Sequence, residues 1–88
     1  MAKRYWSDTE FCIVCGKQGV AKHHFRSRGS GGSDSEFNLM PLCVEHHTEI
    51  HMIGPNTMSV KYPQVEDWLH KNGWEYEPYA ERWVHELE

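Results

Sequence analysis

The apolar and polar positions divide this chain into short segments. Residues 1–10 (MAKRYWSDTE) are mostly polar, and Tyr5 and Trp6 read as an anchor behind a frayed start. Residues 11–16 (FCIVCG) place two cysteines two residues apart and close on a glycine, the pattern of a tight knuckle turn. Residues 17–20 continue as a loop. Residues 21–25 form a short strand, and residues 38–42 (NLMPL) a second, with Pro41 suited to an edge or to the strand's end. Between them residues 26–37 (RSRGSGGSDSEF) are rich in Gly and Ser and show no periodicity, so they form a loop. The two strands are expected to pair antiparallel across it. In residues 43–53 (CVEHHTEIHMI), Val44, His47, Ile50 and His51 fall close to one helical face, and Gly54 followed by Pro55 ends the helix.

The second half predicts helices. Residues 56–61 read as an extended connector. Residues 63–72 (PQVEDWLHKN) start with proline and acids, carry the stripe Val65, Trp68 and Leu69, and stop at Gly73. Residues 74–77 form a short link. Residues 78–87 (PYAERWVHEL) place Ala80, Trp83, Val84 and Leu87 at i, i+3, i+4 and i+7, which predicts a third helix. The fold class is therefore small α+β. A single domain over residues 1–88 has a strand–loop–strand–helix core at 12–54 and two additional C-terminal helices supporting it over 62–88. No internal repeat or domain linker is visible.

At 88 residues the chain buries a modest fraction of its unfolded surface, so a metal or another cross-link is expected to help it fold. The three cysteines, Cys12, Cys15 and Cys43, are an odd number, and no apolar leader precedes them. A C-x-x-C pair in that context predicts metal binding rather than a disulfide. No apolar run reaches membrane-spanning length, so the protein is expected to be soluble, cytoplasmic and free of membranes. The net charge of −4 argues against a nucleic-acid partner, but it is unevenly spread. Residues 1–30 carry +4 and residues 31–88 carry −8, which leaves a basic N-terminal part able to meet phosphates.

Two sets of metal-ligand residues follow. Cys12-x2-Cys15 and, further on, Cys43-x2-His46 are two chelating pairs, as a closed tetrahedral zinc site requires. The remaining cluster is His23, His24, His47 and His51. His47 and His51 are four apart on the predicted helix and project from one face. His23 and His24, adjacent in a strand, point to opposite sides, so one can ligate a metal while the other faces a substrate. Three imidazoles leave open coordination positions, the mark of a catalytic site. His46 and His47 could exchange roles, but the gaps to Cys43 and His51 favour this assignment. His70 and His85 read as ordinary histidines.

The string HH, a Gly-rich loop, then N-L-x-P-L-C-x-x-H-H-x3-H resembles the HNH endonuclease family, in its zinc-binding small phage and prophage form. The likeness covers residues 12–54 and implies a ββα-metal (His-Me finger) unit. It implies that His24 is the general base, that Asn38 holds the hairpin that orients it, and that His23, His47 and His51 bind a catalytic divalent metal. Family members often have Asp in place of His23. By ligand softness the all-histidine set favours Zn²⁺, Ni²⁺ or Co²⁺, with Mg²⁺ or Mn²⁺ as further candidates for activity. Cys12, Cys15, Cys43 and His46 would hold the structural Zn²⁺. The implied activity is metal-dependent hydrolysis of DNA phosphodiesters to 5′-phosphate and 3′-hydroxyl ends, with one strand cut per monomer and both by a homodimer. Arg26 and Arg28 are candidate phosphate contacts, and double-stranded DNA is the expected partner, with little base readout. The packaging terminase is a candidate partner by resemblance alone. Two other readings are a non-catalytic zinc module binding nucleic acid or a phage protein, and a hydrolase acting on RNA.

Overall fold

The fold was analysed in a computed structural model that describes residues 5–27, 29 and 31–87. Arg28, one of the two expected phosphate contacts, lies outside the described residues. Three strands form the first sheet in the order β1–β2–β3: β1 (Trp6–Phe11), β2 (Gln18–His24) and β3 (Leu39–Leu42), all antiparallel. Three helices follow, α1 (Val44–Ile53), α2 (Pro55–Lys61) and α3 (Pro63–Lys71). A two-stranded hairpin of β4 (Trp74–Glu77) and β5 (Arg82–His85) completes the small α+β fold.

The β2–β3 ladder sets the register of the site. His23 lies opposite Met40 and His24 opposite Leu39. The side chains of Val20, Met40 and Leu42 are fully buried and form the sheet's share of the core, which Ile50, Met58, Val65, Leu69 and Trp74 complete from the helices and the hairpin. Burial of this kind stabilises by about 1.5–3 kcal/mol per large side chain. Pro41 sits in β3, at the sheet's edge, where its missing N–H leaves no ladder bond unmade, while its carbonyl accepts from the Ile13 amide at 3.2 Å. The predicted strands at 21–25 and 38–42 thus exist, and β2 begins earlier, at Gln18.

Several expectations are corrected, among them the short link expected at residues 74–77, which is strand β4. Residues 78–87 are not a helix. Residues 78–81 turn the chain and β5 returns along β4, pairing Tyr76 with Trp83 and Trp74 with His85. The helical stripe is broken in fact: Trp83 is buried, but Ala80 is exposed and Leu87 is 72% exposed. Trp74 and Tyr76 on β4 and Trp83 and His85 on β5, each at period two, won over a coincidental helical spacing. The connector at 56–61 is not extended either, since Gly54, at φ 88°, ends α1 and Pro55 opens α2 directly. That helix forms because it buries Met58 completely and seats Ser59, whose hydroxyl accepts from the Trp83 indole at 3.3 Å. Two helices do follow α1, but they are α2 and α3. A further correction is β1, a strand where the sequence predicts a polar lead-in and the edge of the knuckle; Trp6 covers Gly19, where a Cβ would stand 3.4 Å from the indole ring.

Among the described residues no helix is long and apolar enough to cross a membrane.

Candidate metal centres

The first centre joins the turn after β1 to the start of α1. The Gly16 amide donates to the Cys12 carbonyl at 2.9 Å, which folds the knuckle, and the Val14 amide approaches the Cys12 sulfur at 3.4 Å. Cys43 is the N-cap of α1, so His46 comes round one turn later onto the same side. The ligating atoms of Cys12, Cys15, Cys43 and His46 all lie within 4.8 Å of one another. Cys15 Sγ is 3.8 Å from Cys43 Sγ, and His46 Nδ1 is 3.2 Å from Cys43 Sγ and 3.6 Å from Cys12 Sγ. Around one tetrahedral Zn²⁺, bond lengths of about 2.3 Å to sulfur and about 2.0 Å to nitrogen give edges of about 3.8 and 3.5 Å. The four residues thus match the edges of a structural zinc site and could hold that metal. No disulfide competes, since all three cysteines are free.

The thiols show why a cation suits this cluster. Burial disfavours the Cys12 thiolate, but backbone amides at Cys43, Cys15 and Val14 outweigh it and bring the thiol down to about 7. Cys43, penalised by burial and crowded by Cys15, Glu45 and Cys12, is pushed up to about 11. Neighbouring thiolates cannot all ionise without a positive charge between them, and a bound divalent cation supplies it.

The second centre lies on the other side of α1. His23 leaves β2 toward the helix, and His47 and His51 meet it from successive turns. The ligating nitrogens of these three residues also lie within 4.8 Å of one another, a group that could hold a metal ion. Their rings stand edge to face, with centroids 4.7 to 5.3 Å apart. A cavity of about 340 Å³ is lined by these three histidines together with His24, Tyr5 and Ser27. The structure therefore brings all four expected histidines to one cavity and sends His46 and His47, adjacent in sequence, to different clusters.

Burial pushes His23 down to about 3, helped by the neighbouring His47, His51 and His24, and burial beside His51 lowers His47 too. Both are therefore neutral at pH 7, as metal ligation requires. The shift has a sign that can be checked. Between about 3 and the ordinary 6.5, the unfolded chain protonates His23 while the folded chain does not. The unfolded state then binds more protons, so stability at His23 is lost as pH falls below 6.5. Protein loaded with one equivalent of zinc should show a lower urea midpoint at pH 6.0 than at pH 7.5. His23→Gln should make that difference smaller; an unchanged difference would contradict the burial of a neutral imidazole.

Asn38 is fully buried at the end of a 3-10 turn, one residue before β3. Its side-chain oxygen accepts from the Arg26 amide at 2.7 Å, and its nitrogen donates to the carbonyls of Arg26 at 3.0 Å and Ser33 at 2.8 Å. One side chain thus clamps both ends of the loop that follows His24. Gly32 completes the clamp: a Cβ there would stand 1.8 Å from the Arg26 carbonyl oxygen, so no other residue fits.

Three residues here escaped sequence reasoning. Asp34 accepts from His24 and from Tyr5 at the cavity rim. Arg82, read only as part of a helix, lines a second cavity of about 330 Å³ with Arg26, Trp74 and Trp83, and Ser27 lines both cavities. That Arg26 and Arg82 line one cavity depends on the hairpin and leaves no local signal. Asp34 carries a faint one, an acid in the Gly/Ser loop that follows the paired histidines. His70 and His85 stay outside both centres, His85 stacking on Phe37 with centroids 4.0 Å apart.

No family model and no solved structure matches this chain. It is similar to the uncharacterized protein YdfU of Escherichia coli (strain K12), at 35% identity over 49 residues. That stretch covers 52% of this chain and 14% of the relative, so the chain spans about a seventh of the relative's length.

Proposed function

We propose that this chain is a metal-dependent DNA endonuclease of the HNH type, built on a ββα-metal unit formed by β2, β3 and α1. The observation that carries the reading is one cavity in which three histidines have ligand geometry and a fourth stands beside them, held by a loop that Asn38 clamps. His23, His47 and His51 would hold a divalent cation, which when bound neutralises charge on the scissile phosphate and the departing oxygen. His24, outside that set, accepts a proton from the attacking water. Asn38 positions the hairpin and touches no reacting atom. Arg26 and Arg82, facing the adjoining cavity, contact backbone phosphates of the DNA on one side of the cut. A monomer nicks one strand and leaves 5′-phosphate and 3′-hydroxyl ends.

The test is nicking of supercoiled plasmid by purified protein with Mg²⁺, Mn²⁺, Ni²⁺ or Zn²⁺ added in turn. Relaxed circles should accumulate with at least one metal and stop forming on addition of EDTA. An imidazole triad favours the softer ions, so Ni²⁺ or Zn²⁺ should bind more tightly than Mg²⁺. DNA binding without nicking under every metal would favour a non-catalytic zinc module instead.

A further inference from the structure

His24 is the last residue of β2, and Asp34 returns to it from the loop. His24 Nε2 lies 2.7 Å from Asp34 Oδ1. The Tyr5 hydroxyl donates to the same oxygen at 3.2 Å, and the Tyr5 ring meets the His24 ring edge-on at 4.6 Å between centroids. An ionised carboxylate only accepts, so the hydrogen of the short contact sits on Nε2. A neutral imidazole has a single N–H, which leaves the lone pair on Nδ1.

The loop holds Asp34 in place from both sides. The Gly32 amide donates to the Ser27 carbonyl at 2.9 Å, the Ser33 carbonyl accepts from Asn38 at 2.8 Å, and the Ser35 amide donates to the Ser33 hydroxyl at 3.3 Å. Asn38 and Gly32 therefore aim Asp34 as well as closing the loop. The Asp34 side chain is 45% exposed, so its pair with His24 contributes little to stability, and its value is geometric.

We propose that Asp34 is a positioning residue that locks His24 in the Nε2–H tautomer, making Nδ1 the atom that takes the proton from the attacking water. The inference rests on the nuclease reading of the cavity. In the step, the water O–H bond breaks, its proton goes to Nδ1, and the oxygen forms the new bond to phosphorus. The P–O3′ bond breaks, O3′ keeps the electron pair and takes a proton from solvent. His24 becomes an imidazolium beside the Asp34 carboxylate, which offsets its charge.

The test joins a spectroscopic readout to a kinetic one on the zinc-loaded full chain. Long-range ¹H–¹⁵N correlation spectra should show His24 as the Nε2–H tautomer in the parent. Asp34→Asn, whose amide can also donate, should give a mixed or reversed tautomer. The same variant should lose about tenfold or more in single-turnover nicking rate with unchanged apparent DNA affinity, and Asp34→Glu should recover part of the loss. An Nδ1–H tautomer in the parent would overturn the proposal, as would an Asp34→Asn variant with parental rate. If the parent nicks under no metal, the nuclease reading falls and with it the role of Nδ1. The hold of Asp34 on the tautomer is then still decided by the spectra alone.

Discussion

Replacing His24 with alanine is expected to slow plasmid nicking by about 10²–10⁴-fold while leaving zinc content and melting temperature nearly unchanged. On the proposed mechanism, the kinetic loss is that of a general base removed from a site that keeps the three histidines proposed to hold the metal. The structural neutrality has a separate reason. His24 lines the cavity and lies outside the buried core cluster, so its truncation enlarges that cavity rather than opening a void within the core. The carboxylate it leaves behind, Asp34, is half open to water and still accepts from Tyr5. The contrast with His23→Ala makes the measurement specific. That change removes a ligand, so excess metal should recover part of its activity, whereas no metal concentration should rescue His24→Ala. Single-turnover nicking across a metal titration checks both. A His24→Ala protein that cuts at the parental rate would remove His24 from the chemistry.

The parts of this molecule that could be read from its sequence are those whose chemistry repeats at short spacing. Cys12 and Cys15, Cys43 and His46, and His47 and His51 each lie within one turn of chain. Local geometry therefore fixes most of their arrangement, and the structure collects them into the two expected clusters. Helix α3 was legible for the same reason: Val65 and Leu69 are one helical turn apart and both fully buried. What could not be read depends on partners distant in sequence. Strand β1 has no alternating apolar pattern, and it is a strand because its backbone pairs with β2. The segment at 78–87 satisfied a helical stripe, and it is the pairing of β5 with β4, Trp83 opposite Tyr76 and His85 opposite Trp74, that decides for the hairpin. Helix α2 is seven residues long, too short for propensity to sustain, and is held by Met58 in the core. Asp34 belongs with these, because its meeting with His24 requires the whole loop to close.

Loss of the metal from the cysteine cluster is expected to unfold most of the chain, and Cys15→Ala is the variant that shows it cleanly. An 88-residue domain has a net stability of about 4–13 kcal/mol by the usual per-residue range. Structural zinc in small domains contributes apparent binding energies of about 10–16 kcal/mol, the same size or larger. The cluster ties the turn after β1 to the N-terminus of α1, and α1 carries two of the three histidines of the other centre. Unfastening it should therefore cost the second centre as well. Cys12 and Cys43 are buried, so changing either confuses packing with ligation, but Cys15 is exposed and its truncation removes little besides a sulfur ligand. Cys15→Ala should lower zinc content below one equivalent and drop the melting temperature by ten degrees or more on an order-of-magnitude basis. Chelator treatment of the parent should reproduce the drop, and zinc readdition should reverse it. Unchanged melting together with unchanged zinc would mean that the four residues sit close for packing alone.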